Sequence, residues 1–320
     1  MTNKEKYAQF CAEYPDIPIF SQPWWLDAVC PNSWDVILIE RNDKIVASFP
    51  YYYYKMKVAK GILKFAHIGM PQLTQKLGPY IVYGANILKE SKKIQYEHEI
   101  YDAIIDKLPK YDSFGVNFDW KYKNWLPFYW KGFKQTTKYT YILDNIKDHD
   151  SLIKDYSRIK KRKLQISSGE FTIKYDLPKD VFYSFFSAVI HERDDSVRFS
   201  KSLFDHIYDA VYAQKAGKVF YCVDSKNNIQ AINLTIWDKE CAYYLIAMRY
   251  KKYNSSGGTE FLVNETIKYV SQFVNRFDFE GSMIKGVEES FRQYGTRQTE
   301  YYTIYRNNNP LLKIIRSIKD

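Results

Sequence analysis

A series of short motifs occurs twice along the 320-residue chain, in the same order. The first copy opens on two apolar, β-branched runs that flank Arg41, Asn42, Asp43 and Lys44, a β-hairpin pattern. The second opens on residues 219–247, where three such runs are separated by turn-like segments at 225–228 and 238–240, an antiparallel meander. Residues 39–47 align without a gap on residues 223–231. Each copy then carries an acidic strand alternating with aromatics (residues 116–120 and 277–281) and an aromatic segment ending at Gly132 or Gly295. Each closes on a strand in which Gln135-Thr136 and Tyr139-Thr140 match Gln298-Thr299 and Tyr302-Thr303. This order predicts an internal duplication: two α/β domains with mixed sheets, residues 1–150 and 151–320, dividing in the polar stretch 144–157. The length agrees, since a single core is usually built from about 150 residues.

Composition narrows the class. Hydrophobic residues are 46% of the chain and aromatics 18%, enough for two cores rich in sheet. Cys11, Cys30, Cys222 and Cys241 form no C-x-x-C pair and have no histidine cluster beside them, so no metal site is expected. So few cysteines suit a reducing compartment. The first residues lack the apolar core of a signal peptide, and no run reaches the ~18 apolar residues of a spanning helix. A soluble cytoplasmic protein is expected, with peripheral contact at a membrane face still open. The net charge of +10 favours an anionic partner, whether a small molecule, a lipid-linked substrate or tRNA. No nucleic-acid-binding motif is present, so a stable nucleic-acid complex is not expected, and the oligomeric state is not legible.

In the second half, Leu262, Val263, Ile267, Val270, Phe273 and Val274 recur at helical spacing after a turn at Asn254, Ser255, Ser256, Gly257, Gly258 and Thr259. In the first half the corresponding residues 84–107 predict a helix without that glycine turn. Meander, glycine turn, helix and strand, in this order, resemble the core of the GNAT acyltransferases. Three further features resemble the Fem-type transferases and related tandem-GNAT enzymes. They are Phe20-Ser21-Gln22-Pro23-Trp24-Trp25, the basic run from Arg158 to Lys163 leading to Gly169, and Phe277-Asp278-Phe279-Glu280-Gly281-Ser282 followed by Phe291-Arg292-Gln293-Tyr294-Gly295. The resemblance implies two tandem GNAT-like domains. It also implies an N-acyltransferase that moves an acyl or aminoacyl group directly to an amine of a cell-envelope or polysaccharide precursor. Alternatives are an aminoacyl-tRNA-dependent peptidoglycan bridge transferase and a non-catalytic GNAT-like binding protein.

The sequence departs from the Fem pattern in two places. Arg292 stands where the family usually has lysine, and the long helical-hairpin insertion of some tRNA-using members is absent. The second departure leans toward acyl-CoA as co-substrate, with no permanently bound cofactor. Direct transfer needs a neutral amine, stabilisation of charge on the carbonyl oxygen and a proton for the leaving group. Arg292 is the candidate for the charge, and Glu280 and Asp278 for orienting or deprotonating the amine. The turn from Asn254 to Thr259 is the candidate donor cradle, through backbone amides at a helix start. Arg158, Arg162, Arg193 and Arg198 are candidates for an anionic substrate. Each has a plainer reading too: a helix-end arginine, a half-exposed strand, a helix-start loop, a solvated basic face.

Overall fold

A computed structural model describes residues 1–58, 63–85, 87, 89–193, 195–253 and 256–312. The chain divides into two compact units, Met1–Lys138 with Glu300–Asp320, and Tyr139–Thr299. The division therefore lies ahead of the polar stretch near residue 150, and the end of the chain rejoins the first unit.

The first unit begins with α1 (Asn3–Glu13), whose start is closed by a reciprocal Thr2/Glu5 capping box, and α2 (Pro23–Val29), with Pro23 in its first turn. The expected hairpin follows as β1 (Trp34–Arg41) and β2 (Lys44–Val58). Asn42 and Asp43 both take left-handed backbone angles (φ 49° and 58°), as a two-residue turn between twisted strands requires. Next come β3 (Leu63–Gly69), β4 (Tyr80–Ile81), α3 (Glu90–Asp106), β5 (Ser113–Asn117) and α4 (Leu126–Trp130). β5 pairs parallel to β3, with α3 as the crossover that parallel pairing demands. The core holds Phe49, Phe114, Phe118, Phe128 and Phe133. Phe20 and Trp25 of the aromatic motif are buried there edge to face at 5.3 Å, and the Trp25 indole donates to Thr74 Oγ1 at 3.0 Å.

β6 (Lys134–Asp144) begins in the first unit and ends in the second. The second unit continues with α5 (His149–Asp155), α6 (Arg158–Ser167), β7 (Thr172–Tyr175), α7 (Lys179–Glu192) and α8 (Lys201–Ala213). The meander follows as β8 (Gly217–Val223), β9 (Ile229–Trp237) and β10 (Cys241–Arg249), then α9 (Gly258–Val270), β11 (Arg276–Asp278) and α10 (Lys285–Arg292). Its sheet runs β7-β8-β9-β10-β11-β6, antiparallel except for the β10/β11 pair that α9 crosses over. Leu262, Val263, Ile267 and Val270 of α9 pack into a core with Phe220, Ala242 and Phe277.

The last strand, β12 (Arg297–Asn307), enters the first unit at Glu300 and pairs with β5 from Thr303↔Asn117 to Asn307↔Ser113. The two units thus repeat one plan. β1, β2, β3 and β5 correspond to β8, β9, β10 and β11, with a parallel pair at the same place. The strand beside that pair is exchanged: the Gln-Thr strand of the second half lies on β5, and that of the first half lies on β11 through Ile142, Leu143 and Asp144. No helix among the described residues is long and apolar enough to cross a membrane.

Candidate active site

In the second unit the pairing of β10 with β11 is short. β10 runs for 9 residues but is paired with β11 only at Cys241, Ala242 and Tyr243. β11 stops for a local reason. The buried carboxylate of Asp278 accepts hydrogen bonds from the Thr140 hydroxyl and, at 2.8 Å, from the backbone N–H of Glu280, closing an Asx-type turn. Glu280 and Gly281 then both take left-handed angles (φ 61° and 60°). A side chain at Gly281 would collide with the Tyr139 carbonyl, so the turn admits only glycine there. Glutamate in that region of backbone space is uncommon, and such strain gathers at functional sites.

Aromatic rings pack around the end of β11. Phe279 lies 4.9 Å from Phe291 and 5.1 Å from Tyr294, stacked on both, and meets Tyr244 edge-on at 5.6 Å. Beneath them is an ion pair. Lys160 Nζ donates to Glu260 Oε1 at 2.9 Å and to Ser290 Oγ at 3.1 Å, and sits 4.3 Å from the centre of the Tyr294 ring. Lys163 reaches the same Glu260 oxygen at 3.3 Å. Both side chains of the Lys160–Glu260 pair are 5% exposed. Burial lowers the Lys160 ammonium. For Glu260, burial raises the carboxyl, but the two lysines outweigh it and hold the group below its ordinary value. The hydroxyls of Tyr156 and Tyr294 are buried without a hydrogen-bond partner among the described residues. Burial, then the neighbouring Glu260 charge, raises the Tyr294 phenol well above its ordinary value, so it is an O–H donor at neutral pH. Such a donor, aimed at a carbonyl oxygen, stabilises charge developing there.

The sequence-derived candidates fall into place unevenly. Arg292 ends α10 with its side chain 61% exposed, and its Nε donates to Glu288 at 2.9 Å. The same Glu288 oxygen accepts from the Tyr141 hydroxyl at 3.2 Å, which in turn accepts from Gln298 Nε2 at 2.7 Å. Glu280 is half-buried in the turn after β11. Asp278, expected on the cleft face, is fully buried and holds the turn instead. Asn254 and Ser255 lie outside the described residues. Gly257 and Gly258 are buried, with the Lys163 carbonyl and Gln230 Cβ where their side chains would stand. Thr259 is half-buried, and Ser256 Oγ accepts the Gly258 N–H at 3.2 Å. The next residue, Glu260, places a carboxylate in the first turn of α9. This helix start is covered by α6 and carries its own anion, so its residues do not fit a coenzyme A pyrophosphate.

Arg158 and Arg162 are exposed on α6. Arg193 caps α7 and donates to the Arg249 carbonyl at 3.2 Å; Arg198 is exposed, 3.9 Å from Asp195. The four arginines are thus split between α6, which carries two of them, and the region at and beyond the end of α7. Burial pushes the thiols of Cys11, Cys30 and Cys222 up to about 12, unsuited to a nucleophile. Sequence reasoning missed the Lys160–Glu260 pair and Tyr294. The one available signal was register: Lys160, Leu164 and Ser167 share a helical face.

A twice-repeated sheet with a crossover helix and one parallel pair in each copy is a tandem GNAT-like fold. Among solved structures the chain is similar to FemX (TM-score 0.69, 14% identity, 98% of each chain covered). It is also similar to the C-terminal domain of a putative lysylphosphatidylglycerol synthetase from Agrobacterium fabrum (TM-score 0.55, 7% identity, covering 98% of this chain and 95% of that one). A tandem GNAT protein from the clavulanic acid biosynthesis pathway gives a TM-score of 0.51 at 8% identity, covering 96% of this chain and 95% of that one. At these identities the likeness is one of fold. No protein-family profile matches the sequence, and no curated protein is similar to it.

Proposed function

We propose that the protein is a GNAT-like acyl- or aminoacyltransferase acting on an amine of a cell-envelope or polysaccharide precursor. The observation that carries this reading is the parting of β10 from β11 after Tyr243 and Asp278. Beside it lie stacked aromatic rings, a strained glutamate and a buried phenol that has no hydrogen-bond partner among the described residues. The acceptor amine attacks the donor carbonyl, a C–N bond forms, and the ester or thioester bond breaks. Glu280 takes the amine proton and returns it to the leaving group, while Tyr294 donates to the carbonyl oxygen. Arg292, exposed beside Glu288, holds an anionic part of a substrate. The covered start of α9 favours an aminoacyl ester carried by tRNA over a coenzyme A thioester anchored through its pyrophosphate.

The test is label transfer from mixed aminoacyl-tRNA, and separately from acetyl-CoA, to amine-bearing envelope precursors, with calorimetry of each donor. Transfer from aminoacyl-tRNA is expected. Transfer from acetyl-CoA alone would correct the donor. Neither binding nor transfer with either donor would overturn the reading in favour of a binding protein.

A further inference from the structure

Helix α6 is amphipathic in the reverse sense. Its inward face carries Lys160, in the ion pair with Glu260, and Ser167, both buried. Its outward face carries Ile159 and Ile166, 57% and 50% exposed. They are two turns apart and therefore on one stripe, with Arg162 between them. Arg158 and Lys161 are also exposed, and Lys154 is exposed on α5, where its carbonyl accepts from Lys161 Nζ. None of Arg158, Lys161 and Arg162 is ion-paired among the described residues, although Lys163 on the inner side is. A surface built only to be solvated has no use for two outward isoleucines among cations that lack a counter-charge among the described residues, whereas an interfacial helix combines these two features.

We infer that α6 docks this protein on an anionic lipid surface, with Ile159 and Ile166 entering the headgroup boundary and Arg158, Lys161 and Arg162 against the phosphates. The charge selects the occupant. A second copy of the chain would bring the same cations face to face, and nucleic acid would gain nothing from isoleucines where single-strand binders use aromatic rings. The inference is independent of the donor and of the transfer reaction. It would place an acceptor amine carried by a lipid within reach of the enzyme.

The experiment is co-sedimentation of the full chain with vesicles of pure phosphatidylcholine and with vesicles containing phosphatidylglycerol, across a salt series. Binding is expected to the anionic vesicles only and to weaken with salt, since each cation near such a surface contributes about fivefold in partition. The double variant Ile159→Asp/Ile166→Asp should lower partition by at least about tenfold. Arg158→Glu/Arg162→Glu should do likewise, both with little change in thermal midpoint because these side chains lie on the exposed face of α6. Absence of wild-type binding, or wild-type binding by the isoleucine variant, overturns the inference. So does an isoleucine variant that loses a dimer in sedimentation velocity, or bulk tRNA binding that falls in the arginine variant but not in the isoleucine variant while vesicle binding is equal in all.

Discussion

Tyr294 is the residue whose chemistry is least explained by packing alone. Its ring is held by Phe279, Tyr156 and the Lys160 ammonium, yet its hydroxyl is buried with no partner among the described residues. A buried hydroxyl left unsatisfied costs roughly 1–3 kcal/mol. Tyr294→Phe should therefore raise stability by about 1 kcal/mol in chemical denaturation. If the hydroxyl serves the donor carbonyl, the same variant should lose transfer activity by about 10²-fold, as removal of an oxyanion donor does. A more stable variant with unchanged transfer would remove Tyr294 from the mechanism. Arg292 and Glu280 are tested at the same scale. Arg292→Ala and Glu280→Gln should keep the thermal midpoint, Arg292 because its side chain is largely in solvent, and should depress turnover. Wild-type turnover in both would show that the turn after β11 is not the reacting centre.

At the scale of elements, α6, α9 and α10 meet through one lysine. Lys160 is bonded to Glu260 in the first turn of α9 and to Ser290 on α10. Removing one partner of a buried pair strands the other charge. Glu260→Gln should thus destabilise by about 3–5 kcal/mol, and the double variant Lys160→Met/Glu260→Met should recover much of that loss. The pH dependence follows from the carboxyl. Its folded pKa lies below the ordinary 4.5, so the folded state binds fewer protons than the unfolded chain in that range. The stability it contributes is complete above pH 4.5 and is lost as pH falls through the lowered folded value. Urea titrations of wild type and Glu260→Gln between pH 7 and 3 should converge at the acid end. Parallel curves would mean that Glu260 is not the group responsible.

For the whole molecule, the exchanged strands set the folding unit. Residues 1–150 expressed alone lack β12 for the free edge of β5, and residues 151–320 lack β6 for the edge of β11. Neither piece should give a dispersed NMR spectrum by itself, and the two mixed should. Independent, dispersed spectra from both would mean that each sheet is complete without the exchange. The backbone amide of Phe118, which donates to the Tyr302 carbonyl at 2.8 Å just beyond β5, should likewise lose hydrogen-exchange protection in a chain ended at residue 296, although the deletion lies far along the sequence.

The sequence by itself determined the repeated plan. Hairpin runs, turn residues such as Asn42-Asp43, the apolar period of α9 and the matched Gln-Thr strands are local patterns, and local patterns carry element type and order. They also singled out the segment from Phe277 to Gly295, where β11 ends. Which sheet each Gln-Thr strand completes was not legible, because β6 and β12 carry the same pattern and either edge satisfies it. Nor could spacing tell that Asp278 turns inward to hold a turn, or that Gly257 and Gly258 yield space to α6 rather than to a phosphate. Lys160 and Glu260 stand 100 residues apart, and their charges are tolerable in the interior only because each neutralises the other. Long-range pairing decides which polar groups are buried, and only the folded chain brings those partners within reach.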